Sequence, residues 1–248
     1  MTRIILSGAN GKMGRMVSSC CKENGEFAVV AGVDLNTEVY DGFPVYGSFD
    51  EVTEEADVIV DFSHPSVLAT VLAYAKSRRL PAVICTTGLS PEQVAAVNEA
   101  SKEIPVFFSA NMSLGINLML ALVKKATQVL GDGFDVEIIE KHHNQKIDAP
   151  SGTALMLADA IREERENAQY MFDRHSRRIK RDKKEIGISS VRGGTIVGEH
   201  EVLFAGRDEM IELKHTATSK EVFAIGALRA GAFLVGKEPG LYTMSDMM

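Results

Sequence analysis

Cysteine is scarce: the 248 residues hold three, Cys20, Cys21 and Cys85. An odd number without paired spacing excludes a secreted disulfide framework, and two adjacent cysteines do not make a zinc-binding pattern. They read as small buried apolar residues of a reducing compartment. Long hydrophobic runs are also missing, and none approaches the roughly 20 residues of a membrane span. Met1-Thr2-Arg3 leads straight into Ile4-Ile5-Leu6, too short an apolar stretch for an export signal; a cytoplasmic protein with no membrane partner is expected. Positive charge is not in excess: the net charge is −7, which argues against a nucleic-acid partner. The stretch from Asp173 to Lys184 is rich in Lys and Arg but lacks interleaved aromatics. It reads as a solvated segment that helps draw in an anionic substrate. What is present is an ordinary globular composition, 45% hydrophobic and 25% charged, in a chain long enough to bury a core without disulfides or metals.

The first 110 residues alternate apolar runs with helical patterns. Ile4–Ser7, Phe27–Val33, Val58–Phe62, Ala82–Thr86 and Val106–Ser109 are nearly continuous in apolarity, as strands buried on both faces of a parallel sheet require. Gly14–Asn24, Pro65–Ser77 and Pro91–Lys102 lie between them as helices, with Ser63 and Ser90 placed to cap the last two. This alternation predicts an α/β fold with an N-terminal Rossmann-type, doubly wound parallel sheet. The pattern then changes. Leu114–Leu130 reads as a long amphipathic helix, and Asp135–Glu140, Ile186–Val191, Glu201–Phe204 and Met210–His215 alternate in polarity with less helix between them. A C-terminal α+β domain with an open mixed sheet is expected over 114–219. A dinucleotide-binding domain over 1–113 is completed by 220–248, where Phe223–Val235 is apolar and helical.

Gly8, Gly11 and Gly14 sit between the first strand and the first helix as G-x-x-G-x-x-G, a variant of the dinucleotide fingerprint. Glycine permits a tight turn and close approach of backbone to a pyrophosphate, and the helix start offers free N–H groups to that anion. Asp34 follows Gly14 by 20 residues, the position of an acid that bonds the adenosine ribose. A carboxylate there repels a 2′-phosphate, and Leu35 comes next rather than an arginine. NADH and NADPH are both candidate cofactors, with NADH preferred.

The most specific segment runs from Glu140 to Ala154, EKHHNQKIDAPSGTA. It leaves a strand and enters a helix over Thr153–Arg165. Imidazole titrates near neutrality and lysine supplies a fixed cation, while Ser151-Gly152-Thr153 offers hydroxyl and backbone N–H groups to a carboxylate. His142 and His143 are not completed by further His or Cys into a metal site. His64, His175, His200 and His215 read as structural or surface residues. A non-catalytic NAD-binding sensor on the same fold, or a reductase of another small acid, remain alternatives at this point.

The Gly8–Arg15 loop, Cys85-Thr86-Thr87-Gly88, Ala110-Asn111-Met112-Ser113, HHNQKIDAPSGTA and the segment from Val191 to His200 occur in an order that resembles the 4-hydroxy-tetrahydrodipicolinate reductase (dihydrodipicolinate reductase) family of the diaminopimelate/lysine pathway. The resemblance spans the whole chain. It implies that Gly8, Ala9, Asn10, Gly11, Lys12 and Met13 hold the pyrophosphate and Asp34 the ribose. Cys85, Thr86 and Thr87, with Ala110, Asn111, Met112 and Ser113, would flank the nicotinamide. His142 would be the proton donor, with Lys146 as a second one; His143, Ser151, Gly152 and Thr153 would contact a small cyclic dicarboxylate. A homotetramer is also implied. Two positions depart from the pattern: Cys85 stands where glycine is common, and Leu35 removes an arginine used for the 2′-phosphate in some members.

Overall fold

The computed structural model describes residues 1–248. In chain order the elements are β1 (Thr2–Ser7), α1 (Lys12–Asn24), β2 (Phe27–Val33), β3 (Val45–Tyr46), β4 (Val58–Asp61), α2 (Leu68–Arg78), β5 (Ala82–Ile84), α3 (Pro91–Ala100) and β6 (Pro105–Phe108). There follow α4 (Leu114–Leu130), β7 (Asp135–His142), α5 (Gly152–Arg162), β8 (Gln169–Met171), β9 (Glu185–Arg192), β10 (Gly198–Ala205), β11 (Met210–Ala217), α6 (Glu221–Leu234) and β12 (Gly240–Tyr242). The chain divides into two compact units, Met1–Leu114 with Lys220–Met248, and Gly115–Ser219.

The first unit is a seven-stranded, wholly parallel sheet in the order β12-β6-β5-β4-β1-β2-β3. Its central strands β1, β4 and β5 are buried along nearly their whole length, which is why they read as unbroken apolar runs rather than as alternations. One face of the sheet packs Ile4, Leu6, Val58 and Val60 with Val17 of α1 and Ala224, Ala227, Leu228 and Leu234 of α6. The other packs Ile5, Ile59 and Val106 with Leu68, Val71 and Leu72 of α2 and Val97 of α3. Winding reverses between β1 and β4. In an open α/β sheet that reversal leaves a crevice at the strand C-termini, where ligands bind. Helix α3 starts as its sequence suggests: the Ser90 hydroxyl accepts from Gln93 N (3.3 Å), and the Gln93 side chain accepts from Ser90 N (2.9 Å), a reciprocal cap. Ser63 does not cap the turn at Pro65. His64 does, accepting from Ser66 N through Nδ1 (3.2 Å), while the Ser63 hydroxyl donates to Asp61 (2.6 Å).

The second unit carries a five-stranded sheet, β11-β10-β7-β9-β8. It is mixed: β8, β9 and β7 run parallel, while β10 is antiparallel to both β7 and β11. Burial alternates residue by residue along β7 and β10, so one face is apolar. That face carries Val136, Ile138, Ile186, Val202 and Phe204 and packs against Leu157 and Ile161 of α5 and Met119 and Val123 of α4. Helix α5 begins one residue earlier than expected from the sequence, because Ser151 is its cap, and it ends three residues sooner, at Arg162. The short strands β3, β8 and β12 were not expected; two or three residues are too few to show a period.

Candidate active site

In the first unit the glycine loop is bound to its conformation by space. Gly8 has φ +77°, and a Cβ there would lie 2.7 Å from the Phe62 carbonyl oxygen. A Cβ on Gly14 would lie 2.2 Å from the Gly8 carbonyl oxygen and 2.5 Å from that of Ala9. Gly11 caps α1 without any side-chain bond, so N–H groups of the first turn stay available for an anion. Ala9 is fully buried under Gly32, Met13 is half-buried, and Lys12 is exposed. At the end of β2, Asp34 accepts from Asn10 N (2.9 Å) and Asn36 N (3.0 Å), which ties the acid to the loop. Glycines that a Cβ would overfill, an uncapped helix start and an adjacent fixed carboxylate fit a nicotinamide dinucleotide.

At the neighbouring strand ends, Asp61 is wholly buried at the tip of β4. It accepts from the Thr86 hydroxyl (2.6 Å) and from Ser63, fixing the turn after β5. Cys85 turns its thiol into the core, and burial pushes its pKa well up. The side chain is therefore inert, and the position offers its edge only through backbone. Thr87 and Ala110 are exposed. Asn111 and Ser113 are buried; the Asn111 side chain accepts from Ser113 N (2.9 Å), and the Ser109 hydroxyl donates to Asn111 O (2.8 Å). Met112 is pressed by α6, where a Cβ on Gly226 would overlap the Met112 carbonyl oxygen at 1.8 Å.

In the second unit β7 delivers Glu140 and His142 to the same, buried face, because strand side chains alternate with period two. Glu140 is fully buried and His142 nearly so. His142 Nδ1 lies 2.6 Å from Glu140. Arg192, at the end of β9, grips Glu140 through both terminal nitrogens, each at 2.8 Å, and also donates to the Asp148 carbonyl (2.6 Å). Ser151 N donates to the same carboxylate (3.1 Å). Burial would raise the Glu140 pKa, but bonds from Arg192 and His142 outweigh it and hold it at about 2. The Ser151 hydroxyl accepts from Ala154 N and lies 2.9 Å from His200 Nε2. Burial pushes His200 down to about 4, so that ring is neutral near pH 7. Lys146 pairs with Asp148 at 2.9 Å and holds that carboxyl below the usual range. Gly152 is exposed and Thr153 half-buried at the start of α5, and His143 lies half-buried just past β7. Asp61 went unnoticed in the sequence, Glu140 and Arg192 were seen only as members of motif segments without a role, and His200 was read as structural or surface. The only available signal was the period-two pairing of Glu140 with His142. No group of three or more His, Cys, Asp or Glu side chains is arranged to hold a metal, and no helix is long and apolar enough to cross a membrane.

Two family descriptions cover nearly all of this: dihydrodipicolinate reductase N-terminus matches residues 2–112, and dihydrodipicolinate reductase C-terminus matches residues 115–248. The chain belongs to the dihydrodipicolinate reductase family. It is 57% identical over 249 residues to the 4-hydroxy-tetrahydrodipicolinate reductase of Caldanaerobacter subterraneus subsp. tengcongensis, covering 100% of this chain and 98% of the relative. It is 51% identical to that of Clostridium tetani, covering 100% and 97%. The solved structure of a dipicolinate-bound dihydrodipicolinate reductase from Paenisporosarcina sp. TG-14 superposes with a TM-score of 0.84 at 25% identity, covering 100% of both chains. Family membership makes the activity NAD(P)H-dependent reduction at the 4-hydroxy-tetrahydrodipicolinate step of lysine biosynthesis.

Proposed function

We propose that the first unit holds the dinucleotide and the second holds the cyclic imine dicarboxylate and supplies the proton that completes its reduction. The bound nicotinamide supplies a hydride to a ring carbon of the substrate. Gly8 to Met13 bind the pyrophosphate at the start of α1, and Asp34 bonds the ribose. Thr86, Thr87 and the 110–113 turn flank the nicotinamide, with Cys85 contributing backbone only. Lys146, His143, Gly152, Thr153 and the backbone at the start of α5 hold the substrate carboxylates, removing rotational freedom and neutralising charge. Loss of the 4-hydroxyl as water leaves a conjugated ring; hydride arrival then gives an electron-rich enamine, which His142 protonates from Nε2 while Lys146 assists.

The observation that carries this reading is the state of His142. It is a buried imidazole at a strand end, engaged by a carboxylate on Nδ1, in the same segment as a lysine and an anion-ready helix start. The substrate class has support from the dipicolinate-bound relative. NADH is the preferred cofactor, on the strength of Asp34 and Leu35. Three unpaired buried cysteines suit the cytoplasm, and the sheet face away from α4 and α5 suits assembly into a homotetramer. His142→Gln should lower kcat by about 10² to 10⁴, the usual effect of losing a positioned acid, with KM little changed. Lys146→Ala should damage both kcat and KM. The assay follows NADH oxidation on substrate freshly made from pyruvate and aspartate semialdehyde. Near-normal turnover by His142→Gln overturns the assignment.

A further inference from the structure

We propose that Glu140 is a positioning residue: it orients the His142 imidazole by gripping Nδ1, leaves Nε2 as the working nitrogen, and links that ring to the helix start that binds the substrate. This deepens the reading of His142 as the proton donor and rests on it.

A carboxylate with no solvent exposure gives up several kcal/mol of hydration, and apolar residues at such a position are often as stable or more so. Folding alone therefore gives little reason for it. The partners of Glu140 include His142, the Ser151 backbone at the cap of α5, the Ser190 side chain, and Arg192, which also holds the Asp148 carbonyl of the intervening loop. One side chain thus fixes the proton donor, the anion-binding turn and, through Arg192, the loop carrying Lys146.

An ionised carboxylate only accepts hydrogen bonds. With Glu140 held ionised, the proton at their contact belongs to His142 Nδ1, and this sets the tautomer of the neutral ring. Nε2 faces Gly198, where a Cβ would come within 3.2 Å; the glycine leaves that nitrogen uncrowded. The groups facing the ring can be named element by element. Glu140 lies on its own strand. From β10, the neutral His200 ring sits edge-on at 5.1 Å, with its Nε2 turned to Ser151. From β9, Arg192 bonds both Glu140 oxygens, including the Oε2 that His142 Nδ1 contacts, and Lys146 in the loop is paired to Asp148. Glu140 is the anion in direct contact with the imidazole.

The test uses the purified full-length chain with its cofactor. Glu140→Gln should keep the KM for cofactor within about twofold and lower kcat by roughly 10- to 100-fold, less than loss of the acid itself. The alkaline limb of its pH–rate profile should move to lower pH, because the carboxylate in contact with the proton donor is gone. Glu140→Asp should recover part of both. Unchanged kcat together with an unmoved alkaline limb overturns the proposal. Should Glu140→Gln fail to fold, ¹⁵N NMR of the unmodified protein decides: the neutral His142 ring should carry its proton on Nδ1, and a ring protonated on Nε2 overturns the proposal. The two readings fail separately. Turnover retained in His142→Gln removes the proton donor, whereas a dead His142→Gln beside a fully active Glu140→Gln removes only the positioning role.

Discussion

On the proposed reading, Asp34 sets the choice between two cofactors. Both of its oxygens already accept backbone N–H groups, from Asn10 and Asn36, so its charge is fixed where an adenosine ribose would lie. The arginine of this loop is committed elsewhere: the Arg15 guanidinium lies 4.3 Å above the Tyr40 ring and donates to the Asn10 side chain at 2.8 Å. A 2′-phosphate would therefore meet a carboxylate without a free arginine to offset it, and like charges in contact cost several kcal/mol. Steady-state kinetics should give a higher kcat/KM with NADH than with NADPH, and Asp34→Ser should narrow the ratio by about tenfold or more. A much higher kcat/KM with NADPH in the unaltered enzyme would refute the preference. At this scale the sequence is legible where chemistry is local. The glycine loop was visible because its turn is built from consecutive residues, and so was the Ser151 helix start. The role of Glu140 was not legible because its partner Arg192 lies 52 residues away, brought near only by strand register.

Elements were legible in proportion to their length and the strength of their caps. The buried runs of β1, β2 and β4 and the amphipathic α4 could be read directly, whereas two- and three-residue strands carry no period. Helix α3 is the clearest local success, because Pro91 stands at its first turn and Ser90 and Gln93 bond each other's backbone. Removing the hydroxyl should cost about 1 kcal/mol, the usual value for an N-cap replaced by alanine. Denaturant unfolding of Ser90→Ala should show that loss with catalytic constants unchanged. No measurable change would mean that the Gln93 half of the box suffices.

For the whole molecule, the sequence separated a parallel region from a mixed one, because strands buried on both faces and on one face differ in pattern. It did not show the pairing order, which depends on contacts distant along the chain. Titration of the buried site should register in overall stability. His200 is held at about 4 against an ordinary 6.5, and Glu140 at about 2 against 4.5. Both groups bind fewer protons folded than unfolded, so each contributes stability at neutral pH that is lost on acidification. His200 weakens the fold as pH drops from about 6.5 to 4, and Glu140 from about 4.5 to 2. Unfolding midpoints should decline across that range, and His200→Gln should flatten the upper part of the decline. A flat profile between about pH 7 and 4 would contradict the assignment.

Helix α6 and strand β12 belong to the first unit although they are encoded last. Domains tend to fold as they leave the ribosome, amino-terminal first, yet here that order is blocked. Until residue 220 and beyond emerge, Val58, Val60 and Phe107 lack their α6 partners, and the outer edge of β6 has no neighbour. The Gly115–Ser219 unit, enclosed within the chain, can close first, while the half that begins synthesis must wait for its end. A nascent chain halted near residue 113 should accordingly be sticky and protease-sensitive, and a candidate for chaperone capture.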